Sequence, residues 1–331
     1  MGRYARITGW GKYLPQRVVT NAELETRINT SDSWIRSRTG IGQRHVAADT
    51  ETASSMAAVA GEKALEVAGL PASSLDLVIA ATVTAERIFP ACASMVQHAL
   101  GAERAAAFDV NAACSGFIHA LTTAWQFLKA GSYDTALVVG SEVYSRILNW
   151  DDRSTCVLFG DGAGAVVLQA YDSPPGLLSF VLANDGSAAD ILYVPGPCGV
   201  RSPSQDGRYY LAMNGPEVYK RAVNAMTSAS RKAIEAAGLD VRHIELFIPH
   251  QANRRIIETT ARRLGLPLER VFIDVEQYGN TSAASIPIAL CEAAEGGRLQ
   301  RGDHLVLVGI GGGLAWGALV LEWGTGPAPG V

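Results

Sequence analysis

AFDVNAACSGFIHALTTAWQFLKAGSYDTALVVG, residues 107–140, and FIDVEQYGNTSAASIPIALCEAAEGGRLQRGDHLVLVG, residues 272–309, share one plan. Each reads as a short apolar strand containing an Asp, a tight turn, a helical run and a β-branched strand closing on glycine. The match continues outward. LDLVIAA (Leu75–Ala81) and a helix ending HALGA precede the first stretch; IELFIP, from Ile244, and a helix ending ARRLG precede the second. Asp109 pairs with Asp274 and Gly101 with Gly265 at almost the same offset. Any α/β protein echoes itself loosely, but here strand, turn and helix agree in order and spacing, which points to an internal duplication. The expected fold is α/β in two halves, residues 1–173 and 174–331, meeting near Ala170–Pro175. Helices are expected at Thr52–Ala68, Ser115–Ala130, Gly215–Ala237, Asn253–Leu264 and Ser282–Ala294. In the second of these, Phe117, Ile118, Leu121, Ala124 and Leu128 recur at helical spacing and Gly131 supplies a stop.

The 331 residues, 48% apolar and 18% charged, can build a large core and exclude disorder. A net charge of −4 argues against bulk nucleic-acid binding. The five cysteines form no CxxC pair and no Cys/His ligand spacing, which fits reduced cytoplasmic thiols. The N-terminal MGRYARITGWGKYLP lacks the apolar run of a secretion signal. Leu305–Leu321, LVLVGIGGGLAWGALVL, is uncharged and approaches membrane-spanning length. Its central glycines instead predict two buried strands, around Leu305–Val308 and Ala318–Leu321, joined by a tight turn. Ser202–Gly207 reads as loop.

Cys114 follows strand AFDV and the turn NAA, then opens a helix. A helix N-terminus offers unpaired N–H groups and a positive dipole end, both of which favour thiolate. Small neighbours (Ala112, Ala113, Ser115, Gly116) leave room for a substrate. Cys92, Cys156, Cys198 and Cys291 have no such setting and read as structural, as do His45, His98, His119, His243 and His304. His250 ends strand IELFIP, and Asn280 begins the helix that matches the one opened by Cys114. Ligands in open α/β sheets bind beyond the carboxyl ends of strands, so one cleft can collect Cys114, His250 and Asn280. FGDGAGAVVL (Phe159–Leu168) lacks nucleotide-loop spacing and reads as a turn feeding a strand. GIGGGLAWG (Gly309–Gly317) offers bare backbone N–H donors close to a ligand.

DVNAACSGF around Cys114, PHQANRRII around His250, YGNTSAAS around Asn280, FGDGAGA, GGGLAWG and the N-terminal TSDSWIRSRTGIGQRH closely resemble the β-ketoacyl-acyl-carrier-protein synthase III family of the thiolase superfamily. The resemblance implies a duplicated five-layer αβαβα fold and a decarboxylative condensation of acyl coenzyme A with malonyl carrier protein, starting fatty-acid synthesis. It implies Cys114 as the acylated nucleophile with His250 and Asn280 as partners, and an oxyanion hole at the N–H groups of Cys114 and Gly312. Trp34 and Arg153 match residues that sandwich the adenine of coenzyme A; Arg38, Thr39 and Asn253 match others along its tunnel. Tyr144, Phe159 and Leu192 match the acyl pocket, with Phe89 reaching in from the second subunit of a homodimer. Lys220 matches a carrier-contact position. Arg255, Arg262 and Arg263 sit on the helix after His250, the first two sharing a face, and read as carrier-docking charges. Coenzyme A enters as substrate; neither a metal nor a redox cofactor is implied, nor a nucleic-acid or membrane partner.

Degradative thiolases carry a second cysteine in the C-terminal Gly-rich loop, absent from GIGGGLAWG. Elongating ketosynthases resemble this plan with two histidines, whereas this chain has Asn280. A secondary-metabolism acyltransferase or ketosynthase of the same family would keep the same triad and is the alternative. A non-catalytic partner subunit is disfavoured by the intact triad. The bulky acyl-pocket residues point to a short primer, acetyl or similar.

Overall fold

A computed structural model describes residues 3–324 apart from 175, 200–202, 205 and 208. One sheet contains β1 (Tyr4–Tyr13), β2 (Leu77–Ala81), β3 (Ala106–Val110), β4 (Thr135–Glu142) and β5 (Gly162–Tyr171), in the order β1-β5-β4-β2-β3. The other contains β6 (Leu177–Asn184), β7 (Leu246–Pro249), β8 (His304–Gly311) and β9 (Ala315–Glu322), in the order β7-β8-β9-β6. In each, pairing is parallel at one end of the sheet (β3-β2-β4; β7-β8) and antiparallel at the other (β4-β5-β1; β8-β9-β6). β2 and β4 are buried along their whole length, as expected of strands covered on both faces; LVIAA is wholly apolar and β4 is apolar between Thr135 and Ser141.

Helices α1 (Asp32–Thr39), α2 (Ala53–Ala68), α3 (Cys92–Leu100), α4 (Gly116–Lys129), α5 (Gly215–Ala236), α6 (Arg254–Leu264) and α7 (Ser285–Glu295) complete the frame. α4 and α7 lie between the sheets, and one core joins Phe117, Leu121, Ile286 and Leu290 to both. α2 and α3 cover the outer face of the first sheet; α5 and α6 cover the second. The result is five layers, αβαβα, of the thiolase type.

Three expectations change in detail. FIDV is not a strand: Val271 makes a single bridge to Phe247 and the chain enters a short helix, Val275–Tyr278. The cause is Gln251. Its amide donates to the carbonyls of Pro249 and Phe272 and accepts the N–H of Asp274 at 3.0 Å, taking the place of a neighbouring strand. The helices after the two turns start late, each behind a 3₁₀ turn, Ala113–Ser115 and Ser282–Ala284. The apolar stretch 305–321 forms the β8–β9 hairpin, with Val308 opposite Ala318; among the described residues no helix is long and apolar enough to cross a membrane. Ser202 and Gln205 of the expected loop lie outside the described residues.

Candidate active site

Cys114 is the middle residue of its 3₁₀ turn. Ala113 before it has φ 45°, a left-handed conformation that costs energy for any residue with a Cβ. The turn is seated on β8, where a Cβ on Gly311 would come within 2.4 Å of the Cys114 nitrogen, so only glycine permits the approach. The second half repeats the device. Ser282 has φ 50°, and a Cβ on Gly140 of β4 would come within 2.3 Å of the Ala283 carbonyl oxygen. Each half's elbow therefore rests on a strand glycine of the other half.

A cavity of about 540 Å³ runs to Cys114 and is also lined by His250 and Asn280. His250 is buried at the end of β7, with Nδ1 2.5 Å from the Ser285 hydroxyl. That oxygen also accepts the Gln251 N–H at 3.4 Å; with the hydroxyl donating to Nδ1, the ring proton of the neutral imidazole sits on Nε2. Burial pushes the imidazole pKa down to about 3, so the ring is neutral at physiological pH. Asn280 is fixed through its backbone: its N–H donates to Leu158 and its carbonyl accepts from Gly160. Its Oδ1 accepts the Ser282 N–H at 2.8 Å, which assigns the amide and leaves the NH₂ to donate elsewhere. Two neutral donors thus stand in the cavity that holds the thiol.

The thiol differs from expectation. Burial pushes Cys114 up to about 11, with the nearby Glu142 carboxyl adding to the rise, while the hydroxyls of Ser282 and Tyr144 pull it down. The helix terminus alone does not supply a resting thiolate. Glu142, Ser282 and Ser285 escaped the sequence reading. The two serines stand inside TSAAS, but uncharged hydroxyls announce no role. Glu142 follows an apolar strand, and a lone acid at a buried strand end was the available signal.

Tyr144 and Phe159 stack at 4.7 Å beside Cys114, with Leu192 along the same wall. Towards the mouth lie Trp34, Arg38, Thr39, Arg153, Asn253 and Arg255. The guanidinium carbons of Arg38 and Arg153 sit 5.0 and 5.1 Å from the Trp34 ring centroid. Arg153 lies against the Trp34 ring face and is held there by a bond to the Asn29 carbonyl at 2.8 Å. Thr39's hydroxyl is committed to Ile35 and Ile41, so it offers a ligand only contact. Asn253 caps α6 and donates to the Arg38 carbonyl. Gly312 stands behind Leu192, whose carbonyl oxygen a Cβ there would meet at 2.7 Å. Lys220, Arg262 and Arg263 are exposed outside the cavity, Arg263 bonded to Asn224. Phe89 also lies outside it, 83% exposed.

Two family models match, 3-Oxoacyl-[acyl-carrier-protein] synthase III over residues 108–186 and its C-terminal counterpart over 234–323. The β-ketoacyl-[acyl-carrier-protein] synthase III of Roseiflexus castenholzii is 51% identical, over 98% of this chain and 100% of that protein. Among solved structures, the synthase III of Aquifex aeolicus superposes with TM-score 0.91 at 45% identity, over 96% of this chain and 100% of that one. The priming β-ketosynthase of the R1128 polyketide pathway superposes at 0.94 with 37% identity, over 98% of each chain. Fold and relatives agree on the class, a thiolase-fold acyltransferase. Within it, the chain belongs to the β-ketoacyl-acyl-carrier-protein synthase III family.

Proposed function

We propose that the chain condenses a short acyl coenzyme A with malonyl carrier protein, the step that starts fatty-acid synthesis. The observation that carries this reading is the meeting of Cys114, His250 and Asn280 in one cavity. The Cys114 thiolate attacks the primer thioester; the N–H groups of Cys114 and Gly312 stabilise the tetrahedral oxyanion, and the coenzyme A thiolate leaves. The malonyl thioester then loses carbon dioxide, and its electron pair becomes an enolate. His250 Nε2–H and the Asn280 NH₂ donate to the enolate oxygen. A cationic imidazole is not needed, because the developing charge meets two preorganised neutral donors in a dry site. The enolate carbon attacks the acyl carbonyl and expels the Cys114 thiolate. Every bond made or broken is a thioester, carboxylate or carbon–carbon bond, so the proposal calls for no metal or redox cofactor.

The stacked Tyr144 and Phe159 favour a two- or three-carbon primer. Trp34, Arg38, Arg153, Thr39 and Asn253 would line the coenzyme A path, and Arg255, Arg262, Arg263 and Lys220 would meet an acidic carrier. A homodimer is supported by the unpaired edge of β3 and by Ile88 and Phe89, 77% and 83% exposed, which suit insertion into a second copy. A cytoplasmic location fits carrier-dependent chemistry. The secondary-metabolism alternative is not favoured, given the closer identity to fatty-acid-type relatives. The test is incubation with a panel of acyl coenzyme A thioesters and malonyl carrier, following carbon dioxide release and the mass loaded on the protein. A short acyl adduct and stoichiometric release support the reading; release without any acyl adduct contradicts it.

A further inference from the structure

Glu142 ends β4 directly behind the nucleophile and is fully buried. Its two oxygens have different surroundings. Oε2 accepts from the Val83 N–H at 3.1 Å and from the hydroxyls of Thr82 at 3.2 Å and Thr84 at 2.6 Å. The Val83 N–H can only donate, and the Thr82 and Thr84 oxygens already accept the N–H groups of Thr84 and Val143, which favours their own protons pointing at Oε2. Oε2 is therefore a fixed acceptor, and a proton on this carboxyl has only Oε1 to occupy. Oε1 faces the Ser282 hydroxyl at 3.0 Å. Ser282 in turn lies 3.2 Å from the Tyr144 hydroxyl, and both hydroxyls lie against the Cys114 thiol.

Ser282 has one proton and several neighbours that want it. With Glu142 ionised, that proton points at Oε1 and away from the sulfur. With Glu142 protonated, Oε1 donates to Ser282, whose own proton is released towards Tyr144 or the sulfur.

We propose that Glu142 is a positioning residue for Cys114, acting through Ser282: its protonation state decides whether the Ser282 and Tyr144 hydroxyls donate to the sulfur, and it stores the thiol proton. In that step the S–H proton passes to Ser282 oxygen as the Ser282 proton passes to Glu142 Oε1. The sulfur keeps the bonding pair, and the net charge of the buried site does not change. This avoids ionising the thiol against an already ionised neighbour.

Burial pushes Glu142 up to about 7, so the switch falls in the working range. The titratable groups facing it are Cys114 and Tyr144 on the cavity side and Cys92 on α3 behind, with Asp109 and Glu86 beyond Cys92. Among the described residues, burial and the bonds from Thr84, Val83, Ser282 and Thr82 are the main influences on its ionisation.

The inference rests on Cys114 being the nucleophile, yet its test reads thiol chemistry alone. The rate of iodoacetamide alkylation at Cys114, followed by peptide mass spectrometry from pH 6 to 10, measures thiolate. Two coupled groups give a distinctive profile. The rate rises tenfold per pH unit until Glu142 ionises, runs level while the pair shares one proton, then rises again. For a coupling of about one unit, the shelf begins near pH 7 and lasts about one unit. Glu142→Gln keeps the acceptor at the fixed end and a donor at the other, so it should abolish the shelf and alkylate about tenfold faster at pH 9. Ser282→Gly, compatible with the left-handed φ, should shorten the shelf. A wild-type profile with no shelf, or a Glu142→Gln profile that superimposes on it, overturns the proposal. An acyl adduct persisting in Cys114→Ala would instead sink the nucleophile assignment and leave the alkylation result standing.

Discussion

The two elbows share a backbone and divide a chemistry. Ala113 and Ser282 both take left-handed φ, both open a 3₁₀ turn, and both turns lead into a helix buried between the sheets. The first presents Cys114; the second places Ala283 at the corresponding point of its turn and surrounds it with Asn280, Ser282 and Ser285. Duplication supplied two equivalent strained corners. On the proposed function, one carries the nucleophile and the other supports the donors around it.

The paired aspartates diverge in the same way. Asp109 accepts two backbone N–H groups at the start of α3, at 2.7 Å each. Asp274 is buried, its Oδ2 has no partner among the described residues, and burial pushes its pKa up to about 8.

The comparison breaks most sharply at Asn280. Asn280→Ala should still load an acyl group on Cys114 but lose decarboxylation by about 10²- to 10³-fold, the cost of one preorganised donor. Equal losses in loading and in carbon dioxide release would show that the halves do not divide the work. The two seating glycines come next. Gly311→Ala and Gly140→Ala each force a Cβ against backbone and should each cost about 1–3 kcal/mol of stability in denaturant unfolding. Gly311→Ala presses on Cys114 directly and should change the alkylation rate of that thiol more than Gly140→Ala, which reaches it only through the Ser282 turn; identical rates in both variants would deny the elbow its role.

Asp274 gives a pH test. Its folded pKa of about 8 lies above the ordinary carboxyl value, so folding holds a proton that the unfolded chain releases. The penalty is absent at pH 3, grows as pH rises from about 4, and levels off above about 8. Asp274→Asn should therefore stabilise the protein at pH 8 by on the order of 1–3 kcal/mol and have little effect near pH 4. A stability gain independent of pH would mean that the carboxyl is not held protonated. The smallest effect belongs to the surface. Arg255→Glu with Arg262→Glu should raise the KM for malonyl carrier several-fold at low salt, shrink in effect as salt rises, and slow acyl loading less, since of the two only Arg255 lines the cavity mouth. Unchanged carrier kinetics at low salt would reduce this face to solvated surface.

Much of this was legible in the sequence, and the reasons are physical. The repeated strand–turn–helix order pointed to two α/β halves, because each half reads as the same run of apolar strand, turn and helix, while the five layers were implied by the family resemblance. The division at residues 173 and 174 is proposed on the same repeat, and the strands of the two sheets fall on either side of it. Cys114, His250 and Asn280 were singled out because the sequence pattern put each at the end of a strand or the start of a helix, and all three line one cavity. What stayed hidden depends on side chains reaching across the chain. Gln251 replaces a strand partner for FIDV, Ser285 bonds the His250 ring from 35 residues away, and Glu142 meets Ser282 across 140 residues. The thiolate expectation failed because helix position was legible whereas burial was not.

The central claim, that the first elbow alone carries the covalent chemistry, is tested most directly by intact-protein mass spectrometry after incubation with a short acyl coenzyme A, comparing the native protein with Cys114→Ala. The account predicts one acyl group on the native chain and none on the variant; an adduct of the same mass forming on Cys114→Ala at the native rate would contradict it.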